Sequence, residues 1–425
     1  MKIEIKNQEA FVDEKIHIKI FELSPLSHLK ITFHMELPWC SGELFSSYAI
    51  FQPDDKGEVD LEHASPIEGT YENANSIGLL YSLRLTTSYG KNIAENINIE
   101  NPILIKISFE TSSDQRELTL KRFFKSKDIV VKKINHTFTG QLFYKEHSRR
   151  KTILMLGGSD GNLDSLSLMA GPLASRGFNV LTVSYFGTIN LPEKLEEVPL
   201  EYFEKIFDWI KTNESTESEE IYIHGTSKGG ELALLLASKY PQIKKVVAVE
   251  PHAYCFQALN GLMIGANASS WSYKRKSVPF IKVRNEDFYQ DLKLQIDKGV
   301  PFGFCNTYKK SLLASLNKEE ARIEVEDSNA DLLLICGEED NIWNSYEACQ
   351  EIINHLKRTN YKHRVELLSY PQMGHPLPVP FIIPVSLTTA IPMNGGIFST
   401  GGTLLGNAEG QYDSFQRTIN FFQEK

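Results

Sequence analysis

Four short runs constrain this chain more than anything else in it: TILMLG (152–157), NVLTVSY (179–185), KVVAVE (245–250) and DLLLICG (331–337). Each is apolar almost without a break, and each is too short for a buried helix. A half-exposed strand alternates apolar with polar residues, so an unbroken run implies a strand covered on both faces. Helical patterns separate the runs. In LEYFEKIFDWIK (200–211), Phe203, Ile206, Phe207 and Ile210 recur on one helical face. IYIH (221–224), then ELALLLASKY, NSYEACQEIINHLK (344–357), RVELLSY (364–370) and YDSFQRTINFF (412–422) continue the series. Strands alternating with helices predict a mostly parallel sheet with helices on both faces.

Before about residue 125 the pattern is different. EKIHIKIFEL (14–23) alternates Ile16, Ile18 and Ile20 with Lys15, His17 and Lys19, and LKITFHMEL (29–37) and ILIKISFET (103–111) follow the same period of two. Turn-forming stretches such as PDDKGE lie between them. This predicts an N-terminal antiparallel β-sandwich of immunoglobulin-like size over residues 1–130 and a second domain over 131–425. Two domains suit a chain of 425 residues. The basic stretch 126–150, with KSKDIVVKK and KEHSRRK, reads as the junction.

A net charge of −9 argues against a nucleic-acid partner, because phosphate binding needs a basic surface. Five scattered cysteines without CxxC spacing predict neither a disulfide framework nor a zinc site, and suit a reducing compartment. MKIEIKNQEA has no apolar core of the signal-peptide kind, so a cytoplasmic location is expected. The longest apolar stretch, VPFIIPVSLTTAIPM (379–393), holds three prolines and is too short to span a bilayer, so no membrane association is expected.

The chemistry is concentrated at HGTSKGGELALLLASKYP (224–241). Gly225-Thr226-Ser227-Lys228-Gly229 fits G-x-S-x-G, in which a serine sits on a sharp strand-to-helix turn and small residues on either side prevent a clash. The pattern alone occurs by chance in roughly one chain in seven of this length, and Gly157-Gly158-Ser159-Asp160-Gly161 fits it too. Context separates them. The turn needs a helix starting at the serine, and after Ser227 comes the apolar run of Leu232, Leu235, Leu236 and Ala237. After Ser159 come Asp160, Gly161, Asn162 and Asp164, so a helix there starts later. Ser227 is therefore the expected nucleophile. The 157–161 stretch is expected to be a glycine-rich loop supplying an oxyanion donor from Gly158 or Ser159, with the backbone N–H of Lys228 as the second donor.

A serine nucleophile needs a base, and the base an orienting acid. In the α/β-hydrolase fold these follow in the order Ser, acid, His, each after a strand. DLLLICG leads into Glu338, Glu339 and Asp340, and RVELLSY leads into His375 beside Gly374. Asp340 is the expected acid, with Glu338 or Glu339 the alternatives, and the triad is Ser227–Asp340–His375. His224, on the strand side of the turn, is expected to be a packed residue. An α/β hydrolase following a β-sandwich is thus the expected fold, and its triad needs no metal or cofactor.

These residues carry a family resemblance. DKGEVDLEHASPIEGTY, SIGLLYSL, LGGSDG, LPEKLEEVPLEYFEKIFDWI, GTSKGGELALLLAS, SSWSYKRKSVPF, LICGEEDNIWNS, YPQMGHP and GGTLLGNAEGQYDSFQRTINFF make the chain similar, almost end to end, to the acyl-CoA thioesterase / bile acid-CoA:amino acid N-acyltransferase family in its bacterial form. The resemblance implies acyl-CoA thioesters as substrates and the same three triad positions. The acyltransferases of the family place cysteine at the elbow, whereas Ser227 matches the hydrolase members. The family often has alanine where Gly230 stands. The expected activity is acyl-CoA hydrolysis through an acyl-enzyme. The rivals are a carboxylesterase or dienelactone-type hydrolase, an N-acyltransferase, and an idle protein that only holds an acyl ligand. SYKRK (272–276) could meet CoA phosphates, although a short basic run is more often plain solvated surface.

Overall fold

The computed structural model describes residues 1–40, 42–86, 96–261, 263–376, 379–386, 390–393 and 396–424. The chain divides into two compact units.

The first unit comprises Met1–Ser126 with Val379–Thr388. Its larger sheet is built on Leu29–Glu36, which pairs antiparallel with Leu44–Phe51 on one side and Ile103–Glu110 on the other. The alternation read from the sequence becomes burial. Leu29, Ile31, Phe33 and Met35 are buried, as are Ile103, Ile105, Ile107 and Phe109 on the neighbouring strand. A smaller sheet joins Lys2–Lys6, His17–Phe21 and Val59–Asp60, with Ile18 and Ile20 buried. One pair departs from the antiparallel pattern: Glu9–Phe11 lies parallel to Gln115–Phe123. A single boundary near residue 130 also leaves out the return segment 379–388. Its Val379, Ile382, Ile383 and Val385 are buried, and Ser386 donates a hydrogen bond to the Leu83 carbonyl at 2.7 Å.

The second unit comprises Lys127–Pro378 with Thr389–Lys425 and holds one eight-stranded sheet. Its strands, numbered along this unit, are β1 Ile129–Asn135, β2 Thr139–Lys145, β3 Arg150–Leu156, β4 Asn179–Val183, β5 Thr216–Thr226, β6 Ile243–Val249, β7 Asp331–Gly337 and β8 Val365–Tyr370. The spatial order is β1-β2-β4-β3-β5-β6-β7-β8. The pairs β1–β2 and β2–β4 are antiparallel, and the remaining pairs are parallel. This is the α/β-hydrolase arrangement. The basic stretch 126–150 is therefore no junction: it supplies the two antiparallel strands of one sheet edge. Ile129 and Ile134 face inward, while Val130, Lys132 and Lys133 of the edge strand stay outside the core. Lysines on an edge strand also discourage pairing with a further chain.

The apolar runs lie where continuous burial puts them, with Ile153–Leu156, Val246–Val249 and Leu332–Cys336 wholly buried in the central strands. Helix Tyr202–Thr212 buries Phe203, Ile206, Phe207 and Ile210. Helix Lys228–Lys239 is buried from Lys228 to Ser238, as a helix packed on the sheet must be. Two helices that the apolar periodicity did not reveal, Asn285–Asp297 and Cys305–Ala314, lie between β6 and β7 and are polar over most of their surface. Among the described residues no helix is long and apolar enough to cross a membrane.

Candidate active site

The glycine cluster at 225–230 is explained by distances. An added Cβ at Gly225 would lie 2.0 Å from the Gly229 carbonyl oxygen, and one at Gly229 would lie 2.3 Å from the Gly157 oxygen. Both positions exclude a side chain because backbone cannot move aside. Between them Ser227 caps the helix with φ 57° and ψ −121°, a conformation that non-glycine residues avoid and that surrounding structure must enforce. Its amide donates to the Val249 carbonyl at 2.8 Å, and its own carbonyl accepts from the amides of Gly230 and Glu231 at 2.8 and 3.0 Å. The residue is pinned between β6 and the helix start, half-exposed, while Lys228 behind it is buried.

The second G-x-S-x-G stretch forms a loop after β3. Its helix, Leu163–Ser175, starts later and is capped by the Asn162 side chain, which accepts from the amides of Asp164 and Ser165. The loop lies beside the elbow, since a Cβ on Gly158 would sit 3.6 Å from Ser227 Cβ. The buried Tyr185 hydroxyl lies 2.6 Å from the Gly157 carbonyl oxygen and 3.1 Å from that of Gly158. In a trans peptide the N–H points opposite to the C=O. Turning these two carbonyls toward Tyr185 therefore turns the amides of Gly158 and Ser159 away from it. At the helix start the Lys228 amide is among the donors that have no intrahelical acceptor. The Lys228 side chain takes no part. It is buried in an ion pair with Glu231 at 2.7 Å, and Glu231 also accepts from Trp271 Nε1 at 2.6 Å. Burial raises the Glu231 pKa, against the pull of Lys228.

Of the three carboxylates after β7, Glu338 and Glu339 are exposed and Asp340 is buried. Asp340 Oδ1 accepts from the amides of Ile342 (2.9 Å) and Trp343 (3.2 Å), and Oδ2 accepts from Ser345 Oγ at 2.5 Å. Oδ2 also meets His375 Nδ1 at 2.8 Å. His375 is held from behind, its amide donating to the Thr400 carbonyl at 2.9 Å. The carboxylate thus fixes the ring and favours the proton on Nδ1, with Nε2 on the side away from Asp340. No hydrogen bond joins the Ser227 hydroxyl to His375 among the described residues.

Sequence reasoning missed the group that does face Nε2. Glu250 directly follows β6, and its Oε2 lies 3.4 Å from His375 Nε2. The residue is wholly buried, neither carboxylate oxygen accepts a hydrogen bond among the described residues, and its φ is 51°. The signal was present, because KVVAVE is an apolar strand closed by a glutamate. Burial drives the Glu250 pKa up, with His375 opposing and Asp340 reinforcing the shift. For His375, burial disfavours the imidazolium, but Asp340 and Glu250 outweigh it and the pKa rises. His224 is buried on β5, away from this cluster, and burial lowers its pKa to about 4, so it stays neutral. His252 is likewise buried beside Asn344, with a pKa lowered to about 3.

The model of the "BAAT / Acyl-CoA thioester hydrolase C terminal" region matches residues 198–425, more than half of the chain, and that of the "Acyl-CoA thioester hydrolase/BAAT N-terminal region" matches 13–136. The chain belongs to the BAAT/acyl-CoA thioester hydrolase family. Its relatives within the family are of two kinds. It is 27% identical over 430 residues to the bile acid-CoA:amino acid N-acyltransferase of Mus musculus, covering 98% of this chain and 95% of that one. It is 25% identical over 422 residues to acyl-coenzyme A thioesterase 2, mitochondrial, of the same organism, covering 97% and 86%. This member of the family carries Ser227 at its elbow.

Proposed function

We propose that the protein is a serine-dependent acyl-CoA thioester hydrolase. The observation that carries the reading is the buried Asp340–His375 pair at 2.8 Å, in a chain whose strained elbow presents Ser227 and whose family comprises acyl-CoA thioester enzymes. Ser227 Oγ attacks the thioester carbonyl while His375 Nε2 takes its proton. The developing oxyanion is held by the Lys228 amide and by the amides of the Gly158–Ser159 loop. The C–S bond breaks, and the departing CoA sulfur takes up the proton from His375, which leaves the imidazole neutral again. His375 then activates water, which releases the carboxylic acid and restores Ser227. No step requires a metal or cofactor.

A thiol-release assay across acyl-CoA chain lengths, with simple esters as controls, tests this. Thiol release that disappears in Ser227→Ala supports the proposal. Turnover of the esters alone would favour the carboxylesterase reading. A second reading, transfer of the acyl group to an amino acid, is favoured by the likeness to the mouse N-acyltransferase.

A further inference from the structure

A triad needs one carboxylate, and His375 lies between two. Asp340 holds Nδ1 at 2.8 Å, and Glu250 Oε2 stands 3.4 Å from Nε2. A wholly buried carboxylate without a hydrogen bond is costly, and such a group persists only with a charged partner or a proton. Among the described residues, the basic group it faces at ion-pair distance is His375, an imidazolium once protonated. Its place is also fixed. Val249, the residue before it, accepts the Ser227 amide, and the Glu250 amide and carbonyl are bonded to the Ile335 carbonyl (2.6 Å) and Trp343 Nε1 (3.0 Å). Glu250 is therefore part of the frame that also positions the elbow.

We propose that Glu250 is a positioning residue for His375: it engages Nε2 in the resting site and keeps a proton there, so that the base becomes free for Ser227 only at a higher pH than Asp340 alone would set. One proton is shared by the pair. While it stays on nitrogen, opposite the Glu250 carboxylate, the Nε2 lone pair is occupied and cannot accept the Ser227 proton. When that proton leaves to solvent, Nε2 of the neutral imidazole is free to accept from the serine. The other ionisable groups around the pair do not replace it. Asp340 faces it from the loop after β7. The Cys349 thiol, on helix Ser345–Arg358, is kept neutral by burial. His252, from the loop after β6, is neutral as well, and Lys228 of the elbow helix is committed to Glu231. The inference rests on reading Ser227, Asp340 and His375 as a triad, and on nothing about the substrate.

The sign follows from the base's task. A serine hydrolase rises in rate as its histidine loses a proton, so a raised histidine pKa moves that rise to higher pH, and removing one anion moves it back. The experiment is the rate of Ser227 labelling by a fluorophosphonate against pH, on the full chain, for the unmodified protein, Glu250→Gln and Glu250→Asp. Glu250→Gln should move the midpoint of the rise acidward by about one pH unit or more, giving about tenfold faster labelling on the acid limb relative to the plateau. Glu250→Asp, which keeps the charge, should stay nearer the unmodified protein. Superimposable profiles for the unmodified protein and Glu250→Gln would overturn the proposal. If Glu250→Gln fails to fold, imidazole NMR titration of the unmodified protein and of Glu250→Met, which removes the charge and suits a buried site, decides, with His375 assigned by His375→Gln. A His375 midpoint lower in Glu250→Met supports the proposal, and equal midpoints overturn it. Neither readout uses acyl-CoA, so a protein that shows the shift but releases no CoA would sink only the substrate reading.

Discussion

At Ser227 the backbone, rather than the side chain, carries the first argument. A serine held at φ 57° is a structural cost that a mere helix cap would not need, whereas Ser159 follows a loop carbonyl, that of Gly158, turned to Tyr185. Ser227→Ala should therefore lower kcat by about a millionfold, while Ser159→Ala, which keeps its amide, should stay close to the unmodified enzyme. Thiol release from acyl-CoA measures both, and a dead Ser159→Ala beside an active Ser227→Ala would reverse the roles. Asp340 differs from its neighbours in burial and in four hydrogen-bond contacts, one of them to His375 Nδ1. Asp340→Asn should cost about 10⁴ in kcat by stabilising the wrong imidazole tautomer, with Glu338→Gln and Glu339→Gln unaffected because those side chains lie in solvent. Equal losses in all three variants would point to charge near the site, not to orientation of the ring.

At the scale of elements, the elbow works by exclusion. Gly225 opposes backbone at 2.0 Å, whereas a Cβ on Gly230 would meet the Val249 oxygen at 3.0 Å and nothing closer. Gly225→Ala should force the strand and helix apart, costing about 1–3 kcal/mol and abolishing phosphonate labelling, whereas Gly230→Ala asks for only a few tenths of an ångström and should label normally. Thermal melts with labelling of the folded fraction separate the two, and a Gly225→Ala protein that folds and labels like the unmodified chain would refute the packing argument. The same elements show what a sequence reveals. Strands buried on both faces announce themselves, and β7 covers the same residues as its apolar run, 331–337. The order Ser227, Asp340, His375 was legible because each follows a strand, and the structure brings Asp340 and His375 together. Edge strand β1 was not legible, because its buried Ile129 and Ile134 stand five residues apart, a spacing that no period of two relates, with lysines between them. The two helices between β6 and β7 leave apolar residues exposed, Tyr289, Leu294, Ile296 and Leu313 among them, which blurs the helical period. Tyr185 and Glu250 escaped notice for another reason: their roles rest on neighbours distant in sequence, Gly157 and His375.

Across the whole molecule, likeness does not separate the two reactions of the family. The N-acyltransferase and the thioesterase match 98% and 97% of the chain at nearly equal identity. The return segment 379–388 illustrates the same point for architecture, since a contiguous boundary misses a stretch whose place depends on the folded unit. The atom that holds the acyl group is the difference we propose between the two reactions. A cysteine elbow yields a thioester, whose carbonyl an amine attacks readily in competition with water. A serine elbow yields an oxygen ester, less reactive toward amines, and its breakdown depends on water activated by His375. With Ser227 in place, the purified protein should convert acyl-CoA to free acid in the presence of excess glycine or taurine, with little N-acyl product. Ser227→Cys should raise the fraction captured by the amine even as total turnover falls, because the substitution changes the reactivity of the intermediate while leaving the acceptor's surroundings in place. Mass spectrometry of the products, with and without the amine, gives the partition directly. Abundant N-acyl amino acid from the unmodified protein would make it a transferase, and an unchanged partition in Ser227→Cys would mean that the surroundings of the acyl group, rather than the atom bearing it, select the acceptor.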